Sequence, residues 1–329
     1  MAAEGEPSLA SLASFQAEFP LPHVTALHRY PVKGLSAEPL AFLDLTAADG
    51  LAHDRAYALA LGTTRFDASH PVALDKGHFL MLRANEALAS LRTRLDPATL
   101  VLELARDGAA PLRFDLSAPE GQRAAEAFFT AFAGPAARGG IRLVSAPGHR
   151  FTDVGGASPA MMRAVSAINL ATVRALEAAT AREIHPLRFR ANIHLDGIEP
   201  GAELGWVGRE IRIGALRLRG AKRTRRCAAI DVNPLTAARD AQLTKAIVRA
   251  FGHPDLGVYL EVAEDGRIAV GDAVEAEESE AGLPLRCHSN DPSGSSEPLA
   301  APPRPARGEA PPAPAFLSIG FQRPAFGGV

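Results

Sequence analysis

The sequence predicts a mixed α+β, β-rich protein of two consecutive domains with a proline-rich tail, and three observations carry that expectation. A length of 329 residues suits about two domains at roughly 150 residues each. Most periodic segments between positions 22 and 280 alternate at period two, and only a few are long enough and suitably spaced for helices. After Glu280 the composition changes: ten of the 26 prolines fall in the last fifty residues, among Ser, Ala and Gly. The expected division is a lead-in over 1–21, a first domain over 22–140, a second over 141–280, and a largely disordered tail over 281–329. That tail cannot bury enough apolar surface to offset its ordering entropy.

In chain order, strands are expected at Val24–Val32, around Leu40–Leu45, and at Ala56–Leu61. Asn85–Leu95 reads as a helix with Leu88, Leu91 and Leu95 on one face. Leu100–Leu104 and Leu112–Leu116 alternate around Asp107-Gly108, a hairpin signal. Glu120–Phe132 reads as a helix stopped by Gly134-Pro135. Ile141–Ser145 is expected as a strand, Phe151–Ser158 as a Gly-rich loop, and Ala167–Ala179 as a helix capped by Ser166. Ala191–Asp196 and Glu210–Arg219 read as strands, the latter with a slip at Gly214-Ala215 that suits a bulge. Gln242–Phe251 is expected as a helix ended by Gly252. Val258–Val262 and Arg267–Val270 should form a hairpin about Asp265-Gly266. The terminal Phe316–Phe326 stretch is apolar enough to dock on a domain or a partner.

Composition excludes several classes. Hydrophobic residues at 47% and charged residues at 22% are globular values. No run approaches the ~20 apolar residues of a membrane span. Glu4 and Glu6, with no early Lys or Arg and no apolar core, argue against a secretory signal and for a cytoplasmic protein. A net charge of −2 gives no general drive toward nucleic acid. Two cysteines, Cys227 and Cys287, exclude a disulfide framework, a four-cysteine zinc site and a cysteine-ligated iron–sulfur cluster. The ten histidines show no metal spacing, and neither a Walker loop nor a G-x-G-x-x-G fingerprint occurs.

The chemistry concentrates around Cys227. From Arg182 to Arg226 there are 11 Arg/Lys against 5 Asp/Glu. Arg217, Arg219, Lys222, Arg223, Arg225 and Arg226 run directly into the cysteine. Clustered cations favour thiolate, a nucleophile and soft metal ligand, and they collect anions such as phosphate. The same run also suits a solvated strand edge, and a free cysteine commonly just packs. In Leu187-Arg-Phe-Arg-Ala-Asn192, Arg188 and Arg190 would share one side of an extended segment, with Asn192 continuing that face, an arrangement suited to an oxyanion. Pro31-Val-Lys33-Gly34 and Gly50-Leu-Ala-His-Asp-Arg55 each put a basic residue beside a glycine at a strand end. Ser166-Ala-Ile-Asn169 offers a polar pair at a helix start, for an anion or for a simple cap. With four lysines in the chain, few positions could serve as a reactive amine.

Taken in order, Tyr30-Pro-Val-Lys-Gly, Gly50-Leu-Ala-His-Asp-Arg, Ser166-Ala-Ile-Asn-Leu, Leu187-Arg-Phe-Arg-Ala-Asn, Glu203-Leu-Gly-Trp and Arg226-Cys-Ala-Ala-Ile-Asp-Val-Asn-Pro resemble a MOSC protein (molybdenum cofactor sulfurase C-terminal domain) with its N-terminal β-barrel domain. The resemblance spans about residues 22 to 278. It implies a MOSC-type β-barrel domain after a β-barrel-like N-terminal domain, holding the molybdenum cofactor (molybdopterin). It implies Cys227 as metal ligand and catalytic residue, with Lys33, Arg55, Asn169, Arg188, Arg190 and Asn192 binding pterin and phosphate. The implied activity is reduction of N-hydroxylated or related small-molecule substrates, with electrons from a separate donor protein, since the tail lacks the cysteines of a [2Fe–2S] domain. Two alternatives accompany it: a non-catalytic carrier of the cofactor or its sulfur, and a pyridoxal phosphate-binding sulfur-transfer protein. Gly34 departs from the Ser common at that position.

Overall fold

A computed structural model describes residues 21–277. The expected tail, most of the lead-in, Cys287 and Phe316–Phe326 lie outside the described residues. The strands are β1 (His23–Arg29), β2 (Glu38–Leu40), β3 (Phe42–Thr46), β4 (Gly50–Leu51), β5 (Ala58–Leu61), β6 (Arg92–Leu95), β7 (Val101–Ala105) and β8 (Leu112–Asp115). After helix α1 (Pro119–Ala133) come β9 (Ile141–Val144), α2 (Pro159–Arg163), β10 (Val165–Asn169), α3 (Leu170–Thr180) and β11 (Ile193–Asp196). The chain continues through β12 (Glu210–Ile213), β13 (Leu216–Arg225), α4 (Leu243–Phe251), β14 (Asp255–Val262), β15 (Gly266–Ala269) and β16 (Val274–Ala276).

The main sheet has eight strands in the order β16-β12-β13-β14-β10-β11-β1-β2. The first two strands of the chain therefore complete a sheet built otherwise from its second half. Among these pairs β10–β11 is parallel, with α3 as the crossover. Every residue of β10 is buried, as expected of a strand covered on both faces. Along β13, Leu216 and Leu218 are buried while Arg217 and Arg219 are exposed, a period-two pattern that puts the arginines in solvent. At Gly220 a Cβ would lie 1.9 Å from the Trp206 carbonyl oxygen, so only glycine lets the Glu203–Trp206 segment rest on this strand.

Smaller sheets pair β15-β3-β4, β5-β9 and β6-β7-β8. One core gathers Leu88, Leu91, Leu102, Leu104, Ala125 and Phe129 under α1. A second joins Val24, Leu27, Leu43 and Leu45 to Ile193, Ile211, Leu218 and Leu260. The molecule is β-rich mixed α+β, as the sequence predicts, and the β7–β8 hairpin and helices α1 and α4 fall where expected.

Four local expectations are corrected. Asn85–Leu95 is a short 3-10 helix, Glu86–Ser90, followed by β6; Leu88, Leu91 and Leu95 reach the same core without one helical face. Ala167–Asn169 belongs to strand β10, and Asn169, not Ser166, caps α3, because burial between β14 and β11 overrides the helical reading. Gly214-Ala215 is the turn of the β12–β13 hairpin (Ile213 pairs with Leu216), and the bulges lie farther on, between Gly220 and Lys222 and between Arg223 and Arg225. Asp265-Gly266 does not make a β14–β15 hairpin: β14 pairs with β13 and β10, and β15 with β3.

Candidate functional site

A cavity of about 380 Å³ opens where the segments after β1 and β4 meet the loop before α2, the segment before β11 and the end of β13. Ten basic residues line it, against one carboxylate, Asp153. Among the described residues, three of the ten form ion pairs: Lys33 with Asp153, Arg55 with Asp54, and Arg188 with Asp240. The cavity therefore carries a strong positive field suited to anions.

Tyr30 anchors one wall. It is 1% exposed, its hydroxyl donates to the Ala191 carbonyl (3.2 Å), and the guanidiniums of Arg55 and Arg190 lie 4.6 and 4.5 Å from its ring centre. Burial pushes its phenol up to about 12. Arg55 adopts a left-handed backbone and donates to Asp54, to the Asn192 Oδ1 (3.3 Å) and to the Arg190 carbonyl (2.9 Å). Arg190, also left-handed, donates to the Leu35 carbonyl (2.6 Å), and burial holds its guanidinium below the usual arginine range. Lys33 donates to the Phe151 carbonyl (2.9 Å) and to Asp153; burial lowers its ammonium, with Asp153 opposing. Gly34 lies at φ +87°, where a Cβ would also come within 3.1 Å of the Leu80 carbonyl oxygen, so a side chain at this position is disfavoured for backbone reasons.

Cys227 is half-buried and lines the cavity, at the start of a 3-10 turn, Ala228–Asp231. Two arginines hold that turn. Arg226 donates to the Leu256 and Phe189 carbonyls (both 2.7 Å), lies 5.3 Å from the Phe189 ring centre, and is drawn down to about 10 by burial. Arg188 donates from Nη1 to the Ile230 and Asp231 carbonyls (3.3 and 3.2 Å) and from Nη2 to both oxygens of Asp240 (2.7 and 2.9 Å). Arg188→Met should destabilise the fold by roughly 2 kcal/mol, because it leaves the Ile230 and Asp231 carbonyls without their buried charged donor. Urea unfolding checks this, and a change under 1 kcal/mol would count against the clamp.

The predicted residues thus divide. Lys33, Arg55, Arg188, Arg190, Asn192 and Cys227 all line the cavity. Asn169 does not. It is fully buried, its Oδ1 caps α3 at the Ala171 amide (3.0 Å), and its Nδ2 donates to the Ile198 and Glu199 carbonyls (3.2 and 2.9 Å). In this structure it caps α3 and lies outside the lining of the cavity. Arg188 and Arg190 do not share a strand face either: Pro186–Phe189 is a 3-10 helix, and the left-handed turn at Arg190 aims the two guanidiniums at different walls.

Arg226 is the residue that spacing did not distinguish from its solvent-exposed neighbours. Among the described residues seven buried side-chain polar atoms have no partner, and four of them belong to cavity-lining residues: Thr152 Oγ1, Arg188 Nε, Thr224 Oγ1 and Arg226 Nη2. Unpaired buried donors cost free energy, and their concentration in one cation-lined cavity fits a polar, anionic ligand.

The family model of the MOSC domain matches residues 149–275, and that of the MOSC N-terminal beta barrel domain matches residues 21–139. Among solved structures, the YUAD protein from Bacillus subtilis aligns with 78% of this chain and 94% of its own, at 12% identity and a TM-score of 0.39. YiiM from Geobacillus stearothermophilus aligns with 36% of this chain and 56% of its own, at 20% identity and a TM-score of 0.29. No curated protein matches the chain.

Proposed function

Because this chain belongs to the MOSC domain family and carries the MOSC N-terminal beta barrel domain, we propose that its cation-lined cavity holds the molybdenum cofactor and that the protein is a cytoplasmic oxidoreductase acting on N-hydroxylated or related compounds. The observation that carries this reading is the meeting of a half-buried thiol with unpartnered buried donors in one cavity. A soft sulfur suits a high-valent metal, and guanidinium groups suit a phosphate.

In this reading Cys227 is the protein ligand to the metal. Arg55, Arg190 and Lys33 receive the pterin and phosphate, and Arg226 adds positive charge beside the cysteine. Arg188 and Asn192 act as positioning residues, holding the cysteine turn and the Arg55 guanidinium. The cofactor, when bound, supplies two-electron removal of an oxygen atom from substrate, and electrons come from a separate protein.

Metal analysis of the full chain from a cofactor-competent host tests the reading. Stoichiometric molybdenum is expected, lost in Cys227→Ser while the thermal unfolding of that variant stays that of cofactor-free wild type. Wild-type protein without molybdenum would overturn the proposal. Reduction of a simple amidoxime with an artificial electron donor then separates an enzyme from a carrier. Among the described residues no helix is long and apolar enough to cross a membrane.

A further inference from the structure

The single carboxylate of the cavity stands on its most deeply placed ammonium. Asp153 accepts from Lys33, whose side chain is 11% exposed, while the Asp153 side chain is 48% exposed. An acid in a cavity that otherwise gathers ten cations works against any anionic ligand, unless it can leave.

The surrounding chain is built for that movement. Phe151 is pinned: its amide donates to the Arg55 carbonyl (2.8 Å), its carbonyl accepts from Lys33 (2.9 Å), and its ring packs on Phe66, Phe79 and His149. The chain is pinned again at Ser158, whose hydroxyl accepts the Met161 amide (3.0 Å) at the start of α2. Between these anchors lie Asp153, Gly155 and Gly156, in a turn closed by the Ala157 amide on the Val154 carbonyl (3.0 Å). Among the described residues, the hydrogen bond to the Asp153 side chain comes from Lys33. The neighbouring Thr152 hydroxyl is buried without a partner among the described residues. Lys76, another cavity residue, is a further cation acting on Asp153.

We propose that Asp153 is a displaceable internal counter-anion: it occupies the Lys33 ammonium until a phosphate or carboxylate group enters and takes that ammonium, whereupon the 152–157 turn releases toward Lys76. Anion binding and loop position are then coupled, since Lys33 serves either Asp153 or the ligand. The physiological occupant rests on the cofactor reading above, whereas the exchange at Lys33 concerns the chain alone.

Inorganic phosphate is the probe, titrated calorimetrically into the full chain without cofactor. Asp153→Asn should bind phosphate about tenfold more tightly than wild type, the scale of a modest electrostatic coupling. In Lys33→Gln, adding Asp153→Asn should no longer improve binding. Amide hydrogen exchange over 152–157 should speed up when phosphate is added to wild type, and should be fast with or without phosphate in Asp153→Asn. Equal phosphate affinity in wild type and Asp153→Asn, or an unresponsive 152–157 segment, would overturn the proposal in favour of an ordinary loop-tethering ion pair. Molybdenum content measured on the same proteins keeps the two readings apart. The exchange stands if phosphate behaves as described while no molybdenum is bound, and it falls if molybdenum is retained while Asp153→Asn is indistinguishable from wild type.

Discussion

Asn192→Ala is expected to destabilise the fold by about 4 kcal/mol and to lower the midpoint of thermal unfolding by roughly 10 °C. Asn192 is 1% exposed. Its Oδ1 accepts from the Ser166 amide (3.1 Å), the Ser166 hydroxyl (3.0 Å) and Arg55 (3.3 Å). Its Nδ2 donates to the His28 carbonyl and to Asp54 Oδ1, both at 3.1 Å. One side chain thus ties β1, β10 and the Arg55 turn together at the cavity wall. Truncation leaves several of these groups buried without partners, which costs far more than the net worth of one hydrogen bond. Asn192→Asp keeps the shape and the acceptor but removes the two donated bonds and sets a second carboxylate against Asp54, so it should also destabilise. Calorimetry or urea unfolding reads both variants, and a loss below 1 kcal/mol in Asn192→Ala would show that the network is not needed for the fold.

Acid should unfold this protein through a histidine pair on the main sheet. His28 on β1 and His194 on β11 are 7% and 4% exposed, with ring centres 4.5 Å apart. Among the described residues, His28 Nδ1 and His194 Nε2 have no hydrogen-bond partner. Burial holds His28 down to about 4 and His194 down to about 3, with His185 facing both as a further basic group. In the unfolded chain both titrate near 6.5. Between about pH 6.5 and pH 4 the unfolded state therefore binds more protons than the folded one. Stability contributed by the neutral pair is complete above pH 6.5 and declines as the pH falls through that window. The slope reaches up to about 2.7 kcal/mol per pH unit with both residues taking part. Unfolding free energies at pH 7.5, 6 and 5 measure it. His194→Gln should flatten the profile relative to wild type, because its amide does not titrate. Parallel profiles in the two proteins would eliminate the pair as the acid-sensitive element.

The class of fold and the helices α1 and α4 were legible because each rests on local rules. Phe129 and Ala125 lie one turn apart on α1, Pro119 sits in its first turn, and Gly134 follows its end at φ +52°. The β7–β8 hairpin was legible for the same reason, with Leu102 and Leu104 alternating inward before a Gly at φ +74°. The stretch from Val165 to Leu176 was not. Its apolar run suits a buried strand or a buried helix equally, and the choice falls at Asn169 because neighbouring strands on both sides take up the backbone hydrogen bonds of residues 165–169.

For the site, the amino-acid order alone determined which residues have chemistry to offer: a cysteine at the end of a cationic run, two arginines around Phe189, a lysine and an arginine at early turns. Only the tertiary structure decided which of them face one another. It buried Asn169 as a cap, turned Arg188 onto Asp240, and separated Arg226 from exposed neighbours such as Arg225. Residue type sets what a side chain can bond, but desolvation and partner geometry arise from segments more than a hundred positions apart, such as Lys33 with Asp153 and Arg55 with Asn192, and no local periodicity encodes those meetings.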